Sequence, residues 1–101
     1  MVPIDKVKEI ITKHNTLEKE LSSGNIDSKI FAKKSKEYSS LGGIIEIARE
    51  YVNFENEKKD LLNMVQDKSN EQEMISLAEK DLNELIVKKE KYENELKLFL
   101  L

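Results

Sequence analysis

The chain has 101 residues, enough for one helical domain with a modest core and too few for a separate catalytic lobe. Charged residues make up 37% and aromatics 6%, with three glycines, one proline and no cysteine. That composition favours long solvated helices over a sandwich or barrel, and it excludes disulfides and thiolate metal sites. The net charge of −3 is unevenly spread, residues 1–36 carrying +3 and residues 37–101 carrying −6. No run approaches the roughly 18 apolar residues of a membrane span, and no signal-peptide core follows Met1, so the chain reads as soluble and cytoplasmic.

Pro3 suits a first helical position and Asp5 a first turn, which predicts a helix over about residues 3–22. Ile4, Val7, Ile11, His14, Leu17 and Leu21 keep one face until Ser22-Ser23-Gly24-Asn25 ends it. His14, the only histidine, takes a d-like seam position. Without a cysteine or a paired carboxylate it makes a poor metal ligand.

Asp27 or Ser28 can cap a second helix, predicted over about residues 28–66, with Phe31, Tyr38, Leu41, Ile45, Ala48 and Val52 on one side. Lys29, Lys33, Lys34 and Lys36 near its start form a basic patch with two readings, a solvated helix face or a contact for a phosphate backbone. Gly42-Gly43 interrupts the stripe, and each glycine costs about 1 kcal/mol relative to alanine in a helix interior. Because Tyr38, Leu41, Ile45 and Ala48 stay in phase across the pair, a single helix bent at the glycines is expected.

Ser69 to Gln72 and Asn70 to Glu73 are overlapping capping boxes for a third helix over about residues 70–100. Ile75, Ala78, Leu82, Leu85, Lys89, Tyr92, Leu96 and Phe99 then step alternately by three and four. This is a heptad ladder with one polar rung, Lys89, and such spacing keeps a single seam facing a partner helix. Glu84/Lys88 and Glu93/Lys97 are expected i,i+4 ion pairs. The final Phe-Leu-Leu, with no polar cap, reads as a cut end whose open surface favours self-association.

The whole is predicted to be all-α, a single domain of three helices over residues 1–101 whose second and third helices form a long antiparallel, coiled-coil-like hairpin. Folding about residues 68 and 69 places Phe99 near Tyr38, Leu96 near Leu41, Tyr92 near Ile45 and Leu85 near Val52. Folding the first helix back brings Val7 and Ile11 to the same junction. Val7, Ile11, Tyr38, Leu41, Ile45, Tyr92, Leu96 and Phe99 are therefore the expected junction core. No nucleophile–base pair, metal cluster or phosphate loop is present, so neither an enzyme site nor a cofactor is expected.

The runs FAKKSKEYSSLGGIIEIAREY, ENEKKDLLNMVQDKSNEQEMISLAEKDL and LIVKKEKYENELKLFLL, taken in order, resemble the N-terminal helical domain of bacterial class I peptide chain release factors, the type reading UAA and UAG. The resemblance covers nearly the whole chain and is strongest at Ser35 to Leu41, Asp67 to Met74 and Leu96 to Leu101. Gly42-Gly43 departs from the helix formers usual in that family at this point. The family's codon-reading tripeptide and its Gly-Gly-Gln do not occur, since Gly42-Gly43 is followed by Ile44. No catalytic or codon-specific role is therefore carried over to any residue here. The resemblance implies an N-terminal part of a longer protein that acts in translation termination. It also implies an arm seated near the stalk base of the large ribosomal subunit, against protein and rRNA, with a class II GTPase release factor as a further partner. The competing reading from the residues alone is a free coiled-coil scaffold or dimerisation module, and a third is a nucleic-acid binder using the basic patch.

Overall fold

The computed structural model describes residues 2–101, with four α-helices and, among the described residues, no strand. They are α1 (Ile4–Ser22), α2 (Ser28–Leu41), α3 (Ile45–Gln66) and α4 (Gln72–Leu100). Pro3 is the N-cap of α1 rather than its first helical residue, and its carbonyl accepts from the Lys6 and Val7 amides at 3.1 and 3.3 Å. After α1 the chain turns at Gly24, whose φ of +74° is a left-handed conformation costly for any residue with a Cβ. Asp27 caps α2 by accepting from the Lys29 amide at 3.5 Å.

The expected continuous helix over residues 28–66 is broken at Gly42-Gly43-Ile44, giving four helices where three were predicted. The Gly42 amide donates to the Ser39 carbonyl and the Ile44 amide to the Leu41 carbonyl, both at 3.1 Å, so the chain tightens to i→i−3 bonding. Ile44 leaves helical geometry at φ −119°, ψ −15°, and caps α3 by accepting from the Ala48 amide at 2.9 Å. A turn of this kind has about three residues per turn. It therefore keeps Leu41 and Ala48 in step whether or not the helix is continuous, and phase could not distinguish the two cases.

Glu71, not Ser69 or Asn70, is the N-cap of α4, and it makes no side-chain capping bond. Both predicted capping residues face back towards α3. The Ser69 amide and hydroxyl donate to the Asp67 carboxylate at 3.0 and 2.6 Å, and the Asn70 side-chain amide donates to the Met64 carbonyl at 3.0 Å. That last bond satisfies one of the carbonyls orphaned at the end of α3.

α3 and α4 pack antiparallel, with Glu50 beside Lys88, Tyr51 beside Glu93 and Phe54 beside Lys89. Leu85 shares a groove with Phe54, Glu57 and Leu61, about one turn further along α3 than the expected Val52. α1 packs on both α2 and α3 at the base of this hairpin, and α2 has no extensive pairing with α4. The molecule is elongated, 60 × 28 × 19 Å.

The core lies where α1 meets the base of the hairpin. Val2, Val7, Ile10, Leu17, Leu41, Ile44, Ala48, Tyr51 and Leu96 form one buried cluster, flanked by half-buried Ile11, Tyr38 and Tyr92. Ile45 is buried but stands outside that cluster. Phe99, expected at the junction beside Tyr38, is 39% exposed. The break at residues 42–44 accounts for this, since α2 follows α1 and leaves the last turn of α4 uncovered.

Candidate functional site

Three surfaces carry the chemistry of this fold. The first is the outer face of α2, where Lys29, Lys33 and Lys36 are exposed at i, i+4 and i+7 and so share one stripe. Lys34, predicted to belong with them, is turned the other way into an ion pair with Glu20 across the α1–α2 interface. Glu37, the one acid of α2, is held by Lys13 at 3.8 Å. The stripe therefore presents three cations and, among the described residues, no ion-pair partner for any of them.

The second is a polar network inside the hairpin base. Lys89, the polar rung of the ladder, places its Nζ 4.7 Å from the Phe54 ring centroid and 3.7 Å from Glu93 Oε1. Glu93 in turn accepts from the Tyr51 hydroxyl at 3.2 Å, and the Val2 carbonyl lies 3.4 Å from the same hydroxyl. The network ties the N-terminal segment, α3 and α4 together. Burial, reinforced by the Glu93 charge, holds the Tyr51 phenol above its usual pKa. The predicted Glu84/Lys88 and Glu93/Lys97 pairs are replaced by Glu50–Lys88 at 3.5 Å and Lys89–Glu93 at 3.7 Å. The neighbouring helix α3 offers Lys88 the Glu50 carboxylate, and the Tyr92 ring one turn along α4 lies 5.4 Å from its Nζ.

The third is the α1–α2 seam at His14, which is 7% exposed and stacks on Tyr38 with ring centroids 4.7 Å apart. Its Nδ1 has no hydrogen-bond partner. Gly42-Gly43 lies nearby in the chain as a plain turn with no glutamine after it. Among the described residues no group of three or more potential metal ligands lies together. No helix among them is long and apolar enough to cross a membrane.

Val2, Ile10, Ile44 and Tyr51 belong to the core cluster as well, beyond the residues expected at the junction. Tyr51 sits three residues after Ala48 and three before Phe54, so helical spacing could have found it. Val2 carried no such signal, because it precedes the first helix.

A short helical base bearing a two-helix arm, with a cationic stripe on one side, defines the class: an all-α helical domain. Within that class the chain belongs to the PCRF domain family, which it matches over residues 10–101. It is similar to Peptide chain release factor 1 of Pelagibacter ubique, 48% identical over 101 residues, covering 100% of this chain and 28% of that protein. It is also similar to Peptide chain release factor 1 of Chlorobaculum tepidum, 38% identical over 96% of this chain and 28% of that protein. The protein of the same name from Rhizobium rhizogenes is 31% identical over 99% of this chain and 28% of its own length. The chain thus spans little more than a quarter of the curated relatives it matches. No solved structure matches it.

Proposed function

We propose that this chain forms the N-terminal arm-bearing part of a peptide chain release factor and serves translation termination by docking, not by catalysis. One observation carries the reading above the others. A release factor matches the full 101 residues at 48% identity. Heptads shared by chance would confine identity to the ladder of α4, so a free coiled-coil scaffold is the weaker account.

The arm supplies reach, since the 29 residues of α4 extend about 43 Å at 1.5 Å per residue. The Lys29, Lys33 and Lys36 stripe supplies attraction to phosphate, and the docking place we favour is the stalk base of the large ribosomal subunit, protein and rRNA together. A class II GTPase release factor is the second partner in this reading, and the cytoplasm its place of action. Codon reading and ester hydrolysis fall to residues other than these 101, which contain no Gly-Gly-Gln.

A peptide-release assay on ribosomes stalled at a stop codon tests the division of labour. The purified chain releases no peptide by itself and, in excess, slows release by an intact factor. Stop-codon-dependent release by the chain alone, or unchanged release by the intact factor at high excess, overturns the proposal.

A further inference from the structure

The two helices of the arm cannot bury their seam on both sides, and on one side the opening has a definite chemistry. Two hollows that share Glu57, Leu85 and Lys88 run into each other along the α3–α4 interface. Their floor is apolar, made of Phe54, Leu61, Leu85 and Tyr92, of which only Phe54 is buried and the others are half-buried. Their rim is acidic, with Glu50 and Glu57 at one end and Asp60, Asp81 and Glu84 at the other. From Asp81 to Tyr92 the groove runs about 17 Å, the length of three helical turns.

The groove already accepts cations. Lys88 enters it against Glu50 at 3.5 Å with its Nζ 5.4 Å from the Tyr92 ring, and Lys89 lies over Phe54 at 4.7 Å. Those two lysines serve the end near the base. Towards the tip, Asp60, Asp81 and Glu84 are exposed and have no ion-pair partner among the described residues. We propose that this groove docks a lysine- or arginine-rich amphipathic helix of a partner protein. Its apolar stripe covers Leu61 and Leu85, and its cations meet Asp60, Asp81 and Glu84. The surface lies on the acidic arm, apart from the α2 lysine stripe, and does not rest on the docking proposed above.

The test uses the ¹⁵N-labelled chain and a synthetic Leu/Lys amphipathic helical peptide, with a Leu/Glu peptide of the same apolar pattern as comparison, at physiological ionic strength. The Leu/Lys peptide is expected to shift the amide resonances of Leu61, Leu85 and Tyr92, and the Leu/Glu peptide to leave them unmoved. Asp81→Asn with Glu84→Gln is expected to weaken binding by about fivefold or more. Glu79→Gln with Glu90→Gln removes the same charge from exposed positions on the opposite side of α4 and is expected to change binding by less than about twofold. Equal weakening by the two variant pairs would reduce the effect to net charge and overturn the proposal. Resonance shifts centred outside the groove, or binding of the Leu/Glu peptide with equal affinity, would do the same.

Discussion

Leu96 and Phe99 are one helical turn apart on the same ladder, yet they stand in opposite environments. Leu96 is fully buried in the core cluster, whereas Phe99 is 39% exposed. Leu96→Ala is expected to cost about 2–5 kcal/mol, the range for truncating a packed leucine. Phe99→Ala is expected to cost about 1 kcal/mol or less, because its ring keeps much of its solvent contact in the folded chain. Urea unfolding of both variants checks the pair, and equal costs would contradict the placement of α2 away from α4. Tyr51 and Lys88 make a second residue-scale prediction. Burial first, then Glu93, raises the Tyr51 pKa, while the Tyr92 hydroxyl and then the Glu50 charge raise that of Lys88. For both groups the folded chain holds its proton to higher pH than the unfolded chain does. Their contribution is therefore complete at neutral pH and lost as pH rises above about 10. Asp67 has the opposite sign, its pKa lowered by the Ser69 hydroxyl and amide, so the hairpin turn weakens as pH falls through the carboxylate range. A thermal-melt series across pH should show the midpoint falling at both extremes, and Tyr51→Phe should flatten the alkaline limb.

At the scale of elements, the four helices differ in how far the sequence announced them. α1 and α4 were legible because their stripes are long and their ends are marked by Pro3, Gly24 and the polar run at residues 67–71. The break between α2 and α3 was not, because a turn of i→i−3 bonds advances the stripe by nearly the same angle as a helix. Val7, Leu41 and Leu96 are buried in one cluster, while the contact expected between Phe99 and Tyr38 depended on a straight second helix. Of the basic patch, Lys29, Lys33 and Lys36 share a face by spacing alone, whereas the pairing of Lys34 with Glu20 depends on how α1 folds back. The capping boxes misled because Ser69 and Asn70 had a competing use, closing the turn on Asp67 and Met64. Glycine substitutions separate the two turns. Gly24→Ala forces an alanine into φ +74° and is expected to destabilise by about 1 kcal/mol or more. Gly43, whose added Cβ would meet open space at an ordinary φ, is expected to gain about 0.4–1 kcal/mol on replacement by alanine. Chemical denaturation of the two variants should give opposite signs.

Over the whole molecule, charge and shape divide the work. The compact base holds the buried cluster, and the arm carries most of the acidic residues along an elongated body of 60 Å. The stripe of Lys29, Lys33 and Lys36 lies on α2, which the break at residues 42–44 sets apart from α4. In the proposed function the arm positions and the cationic face attracts, and the central claim of that proposal is that this part alone recognises the ribosome. Co-sedimentation of the purified chain with isolated large ribosomal subunits, compared with the Lys29→Glu/Lys33→Glu/Lys36→Glu variant, tests that claim most directly. The account predicts that the wild-type chain pellets with the subunits, that binding weakens as salt rises, and that the variant stays in the supernatant. A wild-type chain that fails to pellet at low salt, or a variant that pellets equally well, would contradict it.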